Sequence, residues 1–302
     1  MRALLAAVSL LGAGALAGPT AADEVKMTQD GLTLNAELSM APGKHLADGA
    51  VLLIHNWLGY DQMPIIQTLQ QLLAAQGLNS LAPTLSLGVD DRHGMYDCRE
   101  PQVHTLDTAD QEIGAWLHWL TEHGATHVVL AGHSGGAMES ARFAATHDDP
   151  AIAAVVLLAP PTWTPAQEAS EYLDSHGMQL STELAYAQAL MASGNDAALL
   201  EDVGFLACNH ATVSAASFVS YYGDDRAHDT PSILEQISAP VLVIAAGNDR
   251  TVKDLPARMQ PVADGTRVNL VTIAGADHAF SDRYASQAVD AMTKFLKAAT
   301  TQ

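Results

Sequence analysis

Short apolar runs, recurring between helix-patterned stretches, constrain this chain more than any other feature. Ala50 to Ile54, Leu78 to Leu85, His127 to Ala131, Ile152 to Ala159, Pro240 to Ala246 and Arg267 to Ile273 each read as a strand, several of them apolar on both faces. Helical spacing lies between them: Ile65, Ile66, Leu69, Leu72 and Leu73 in Met63 to Ala75, then Ile113, Trp116, Leu117 and Leu120 in Thr105 to Glu122. Further helices are expected up to about His147 and from Asp282 to Ala298. Strands with no polar face need cover on both sides, so the pattern predicts a mostly parallel sheet between two helix layers. Ahead of it, Glu24 to Met40 reads as two strands around the Asp30-Gly31 turn, a hairpin signal.

One segment breaks the alternation. Between Pro160 and Ser238 no convincing strand stands out, and helical patterns occur at Pro165 to His176, Thr182 to Ala192 and Asp196 to Ala207. An insertion at about 161–238 is therefore expected as a helical cap over the strand ends, within one domain spanning 23–302. The cap aromatics Trp163, Tyr172, Tyr186, Phe205, Phe218, Tyr221 and Tyr222 are read mainly as its own core, with an apolar acyl pocket as the alternative.

Residues 1–22 read as a signal peptide: Arg2 gives a positive start, Leu4 to Ala17 is apolar, and Ala15-Leu16-Ala17 or Thr20-Ala21-Ala22 offers a cleavage site. The run falls short of the roughly 20 residues that span a bilayer, so an exported protein, periplasmic or secreted, without stable membrane insertion is expected. The two cysteines, Cys98 and Cys208, are then a candidate disulfide tying the insertion to the main domain. A formal charge of -20 repels phosphate backbones and disfavours nucleic-acid partners.

The chemistry centres on Gly132-His133-Ser134-Gly135-Gly136, which follows an apolar strand and leads into a helix-compatible stretch. That context is a nucleophile elbow, with Ser134 presented at the top of the sheet. A serine hydroxyl needs a histidine to take its proton and a carboxylate to orient that histidine. His278, in the loop after the last strand, fits the first role, and Asp249, directly after Val241 to Ala245, fits the second. Asp277 adjoins His278 and is the weaker candidate, because neighbouring loop residues seldom face each other for this bond. The usual alternative location for the acid, Ala159-Pro160-Pro161-Thr162-Trp163, holds no carboxylate. Oxyanion donors are expected from the backbone N–H of Gly135 and, in the loop His55 to Tyr60, of Trp57. His93, His104, His123, His127 and His147 lack metal-pair spacing and His133 is expected to point away from the nucleophile, so no metal is assigned. Asp90 to His93 and Tyr96 to Arg99 read as solvated loop rather than pocket mouth.

With elbow, acid and histidine in the order Ser, Asp, His behind an oxyanion loop, the chain resembles the α/β-hydrolase superfamily, including its serine esterase, lipase and dienelactone-hydrolase-like members. The resemblance runs from about residue 30 to 298 and puts the insertion in the customary place for a cap. It implies an eight-stranded, mostly parallel sheet and a serine acyl-enzyme mechanism that uses no cofactor. Many members have His-Gly where this chain has His55-Asn56, which bears on the second oxyanion donor. The expected activity is cleavage of a small-molecule carboxylic ester. A lactonase, thioesterase or peptidase on the same triad is the alternative, and a non-catalytic hydrolase-like binding protein is the alternative of another class.

Overall fold

The computed structural model describes residues 22–299, so the expected signal segment lies outside the described residues except for its last position. The chain opens on strands β1 (Asp23–Gln29) and β2 (Leu32–Ser39), paired antiparallel. Asp30 and Gly31 join them with φ of 48° and 84°, the left-handed pair that matches the twist of a two-residue hairpin. Strands β3 (Ala50–Ile54) and β4 (Asn79–Thr84) flank helix α1 (Pro64–Ala75), and α2 (Leu106–Glu122) leads to β5 (Val128–His133). Helix α3 (Gly135–Thr146) and β6 (Ile152–Leu158) follow. Beyond the insertion come β9 (Val241–Ala246), the short α8 (Leu255–Met259), β10 (Val268–Ile273) and α9 (Arg283–Ala299).

The eight strands form one sheet in the order β1-β2-β4-β3-β5-β6-β9-β10. It is parallel from β4 through β10 and antiparallel where β2 meets β1 and β4. Successive side chains of a strand face opposite ways, so each central strand feeds two cores. Leu52, Leu130, Val155 and Val243 pack with Ile113, Trp116 and Leu117 of α2 on one face. Val51, Val129, Val156 and Leu242 pack with Ile66, Leu69 and Leu73 of α1 and Met292 of α9 on the other. The unbroken apolar runs in the sequence have this cause: at roughly 1.5–3 kcal/mol per large buried side chain, β3, β9 and β5 up to Ala131 carry apolar residues at every position.

The insertion contains α4 (Pro165–His176) and α5 (Leu180–Ala192), then strands β7 (Leu199–Phe205) and β8 (Cys208–Ser214), then α6 (Ala215–Tyr222) and the short α7 (Thr230–Ile233). The helix expected over Asp196 to Ala207 is thus a strand, and the cap mixes helices with an antiparallel hairpin. The cause is irregular pairing. Register shifts between Leu200 and Val203 and between Val203 and Phe205 break the two-residue alternation, so the buried positions fall at helix-like spacing. Asp202 takes φ 61° within this bulged stretch.

The cap is tied to the main domain. Cys98 and Cys208 form a disulfide across a sequence separation of 110. Beside it, Gln102 accepts from Ser214 N at 2.9 Å and donates to the Thr212 carbonyl at 2.8 Å, so the segment before α2 lies alongside β8. Closing so long a loop restricts the unfolded chain, and Cys98→Ser combined with Cys208→Ser is expected to cost about 2–4 kcal/mol in urea unfolding. An unchanged unfolding midpoint would show that the bridge adds nothing to the packing.

Candidate active site

Ser134 sits at φ 55° and ψ -122° between β5 and α3, a conformation that costs an L residue about 1–3 kcal/mol and persists only where the surroundings impose it. They do so through close approach. Ser134 N–H donates to Leu158 O at 2.8 Å. A Cβ on Gly132 would lie 2.2 Å from Gly136 O, and one on Gly136 would lie 2.0 Å from His55 O. Neither glycine tolerates a side chain, because strand, helix and the loop after β3 meet at backbone distance.

The strand ends then deliver the partners. Ser134 Oγ lies 2.9 Å from His278 Nε2, and His278 Nδ1 lies 2.9 Å from Asp249 Oδ2. A carboxylate only accepts, so Nδ1–H donates to Asp249 and Nε2 is left as the acceptor for the serine proton. Asp249 is itself fixed: its Oδ1 accepts from Thr251 N at 2.7 Å and Val252 N at 2.9 Å. The Asp249 side chain is 2 % exposed and that of His278 is 23 % exposed, so the acid is shielded while the base remains reachable. Asp277 faces elsewhere. Its Oδ1 accepts from Ser281 N at 2.8 Å, and the bonds to Ser281 hold its carboxyl below the usual carboxylate range.

Trp57 and Gly135 are neighbours. A Cβ on Gly135 would lie 2.5 Å from the Trp57 ring, so the indole lies directly on the glycine. Gly135 opens α3, where the first N–H groups have no helical acceptor. The Trp57 loop is held from below by His55, whose Nδ1–H donates to Asn56 O and whose Nε2 accepts from Leu85 N at 3.0 Å. Burial drives the His55 pKa down to about 3, keeping it neutral as this pattern requires. Asn56 lines the cavity beside Ser134 and lays its Oδ1 against Gly59.

A third support was not legible as functional. Arg92, in a stretch expected to be solvated, is 5 % exposed and donates to the carbonyls of Leu85, Gly94 and Gly59. It ties the loop after β4 to the loop that carries Trp57. The solvated reading fits Asp97 and Arg99, which pair with each other at the surface.

His133 also has a part. Its ring is buried 5.2 Å from the His278 ring, and its Nε2–H donates to the His278 carbonyl at 2.8 Å. Burial lowers its pKa to about 4, so the ring is neutral. It does not reach Ser134 Oγ but holds the loop that brings His278 there. The residue between Gly132 and Ser134 is thus a positioning group, and the only hint in the sequence was a histidine directly before Ser134 in the elbow.

A cavity of about 340 Å³ opens on Ser134 and is lined by Trp57 and Met138 from the main domain and by Trp163, Tyr172, Tyr221 and Tyr222 from the insertion. The last three are buried in the cap core and line the cavity at once, so both readings of those aromatics hold for them. Phe205 and Phe218 belong to the cap core, and Tyr186 is exposed. Tyr221 packs edge-on to Trp57 at 6.2 Å, and its hydroxyl bonds His104 Nδ1 at 3.0 Å while His104 Nε2 bonds Gln102 Oε1. The Trp57 loop is thereby in contact with the segment stapled by the disulfide. The other candidate ligand histidines are scattered. Among the described residues the one set at metal-ligand spacing is Glu24, Asp91 and His93, at the far sheet edge, where Lys26 already pairs with both carboxylates.

A model of the Alpha/beta hydrolase family matches residues 51–291. The chain belongs to that family. No curated protein matches it in sequence. Among solved structures, it is similar to Est1E from Butyrivibrio proteoclasticus at 19 % identity and TM-score 0.63, covering 94 % of this chain and 100 % of that one. It is also similar to the Paleococcus ferrophilus monoacylglycerol lipase at 17 % identity and TM-score 0.59, covering 87 % and 98 %. The thioesterase domain from the curacin biosynthetic pathway matches at 17 % identity and TM-score 0.53, covering 94 % and 100 %. At such identities the likeness is one of fold.

The His133 bond generates a specific expectation. His133→Phe removes the donor to the His278 carbonyl and should lower kcat toward an activated ester about tenfold with little change in KM. His133→Gln, which keeps a donor, should recover part of the loss. A fall in melting temperature with kcat intact would mean that His133 serves packing alone.

Proposed function

We propose that this hydrolase-family protein cleaves carboxylic esters through an acyl-enzyme formed on Ser134. The single observation that carries this reading is the unbroken chain of bonds from Ser134 Oγ through His278 to the shielded Asp249, at the floor of a cavity. In the first step Ser134 Oγ attacks the ester carbonyl as His278 Nε2 takes its proton, and Asp249 stabilises the imidazolium. The negative charge that builds on the carbonyl oxygen is met by the backbone N–H groups of Gly135 and Trp57. Collapse expels the alcohol, which takes the proton from His278. Water then attacks the acyl-serine with His278 as base, releasing the acid and restoring Ser134.

Support from relatives is general. Est1E has also been solved with ferulic acid bound, and the other two are by name a lipase and a thioesterase. An ester asks less of the triad than an amide, whose amine leaving group must be protonated as it departs. Thioesters and lactones share the mechanism. We further propose that the protein works outside the cytoplasm, a reading supported by the disulfide, which persists in oxidising compartments. No helix among the described residues is long and apolar enough to cross a membrane.

A fluorophosphonate should label the purified protein, and Ser134→Ala should abolish labelling. Asp249→Asn, which leaves the geometry but favours the wrong tautomer, should lower kcat on a p-nitrophenyl ester about 10⁴-fold. Labelling that survives in Ser134→Ala would refute the assignment. Turnover of an acyl thioester far above its oxygen ester would move the substrate class to thioesters.

A further inference from the structure

The cavity above Ser134 carries a chemical bias that ester hydrolysis alone does not require. Helix α4 contributes Glu168 and Glu171 to its wall, beside the rings of Trp163, Tyr172 and Tyr222. No lysine or arginine is among the described residues that line it, and neither carboxylate forms a salt bridge with a described residue. Glu171 accepts only a neutral partner, Gln167 Nε2 at 2.9 Å. Glu168 is half-buried, and its burial followed by the neighbouring Glu171 charge pushes its carboxyl up to about 7, with the Trp163 indole opposing.

The buried histidine of the wall does not supply the missing positive charge. His228 donates its Nε2–H to Ser220 O at 3.0 Å, and burial lowers its pKa, which keeps the ring neutral. His176 is bonded through Nδ1 to Asn209 Oδ1 at 2.7 Å. The phenols are spoken for: Tyr172 donates to Gly204 O at 3.0 Å, and Tyr222 accepts from Leu206 N at 2.7 Å. Burial raises both phenol pKa values, so the rings remain neutral π-systems. Trp163 is fixed at its backbone, where N–H donates to Asp229 Oδ1, and Asp229 Oδ2 pairs with Arg258 at 2.6 Å.

We propose that the cavity selects esters bearing a permanent ammonium group, with Glu168 as the residue that sets this specificity. The ester carbonyl lies at Ser134 and the cation lies under α4, against the Glu168 carboxylate and the rings of Trp163, Tyr172 and Tyr222. This rests on the reading of Ser134 as nucleophile and leaves its chemistry unchanged. A cation is the occupant that suits this wall, because an aromatic ring attracts it through the ring quadrupole and a partly desolvated carboxylate attracts it more strongly than in water. An alkyl chain in the same place would remove water from the carboxyls and give nothing in return. The formal charge of -20 also draws cations toward the molecule and repels anionic esters.

The test, at about pH 8 to 8.5 so that the Glu168 carboxyl is ionised, compares acetylthiocholine with its uncharged carbon isostere, 3,3-dimethylbutyl thioacetate, on the protein after removal of any leader. The cationic ester should have the higher kcat/KM by roughly tenfold, and Glu168→Gln should lower that ratio by roughly the same factor. Glu235→Gln, which alters net charge equally from an exposed site, should leave the ratio where it was. Calorimetric titration with choline should give binding that Glu168→Gln weakens. Equal rates on the two esters, or a ratio unmoved by Glu168→Gln, overturns the proposal. Choline binding without fluorophosphonate labelling of Ser134 upholds the cation site and removes the hydrolase. Labelling without choline binding or charge preference removes the cation site and leaves the hydrolase standing.

Discussion

Everything at the site depends on one backbone constraint, the left-handed conformation of Ser134 at the strand-to-helix turn. That conformation is unfavourable in isolation, and the contact that enforces it is the approach of α3 to β5 and to the loop after β3 at distances only glycine permits. The same approach places the first turn of α3 beside Trp57. The placement of Ser134 and that of Gly135 against Trp57 are therefore consequences of one packing decision.

His278 and Asp249 depend on that decision less directly. They come from loops after β9 and β10, at the same end of the sheet as Ser134 because all three strands run parallel. A parallel sheet brings together loops far apart in sequence, and 144 positions separate Ser134 from His278. What remains is to hold the His278 loop at the right height, and the bond from His133 to its carbonyl does this from within the elbow. Arg92, through main-chain carbonyls, and the neutral His55 do the corresponding work for the Trp57 loop.

The sheet was legible because buried parallel strands admit almost only apolar residues, and Ser134, Asp249 and His278 were legible because each follows such a strand. The cap hairpin was not. Its bulges move Leu200 and Val203 to helix-like spacing, so the pattern carried the wrong period. His133 and Arg92 were missed for a different reason: their partners are main-chain carbonyls of remote residues, and a carbonyl has no sequence signature. The tyrosines at 172, 221 and 222 could not be divided between core and pocket from sequence, because a ring buried at its hydroxyl end still lines the cavity.

The disulfide divides the chain unevenly. The loop it closes, residues 98–208, contains Ser134, α3 and the whole of α4, α5 and β7, while Asp249 and His278 lie outside it. A protease that cuts the exposed turn around Asn195 therefore yields two pieces that stay covalently joined. The cavity wall, the elbow and the relay remain in one molecule after such a nick. Reduction is what turns one broken peptide bond into two chains held by packing alone, one carrying Ser134 and the other Asp249 and His278, so the chain's tolerance of proteolysis is set by the redox state of its surroundings.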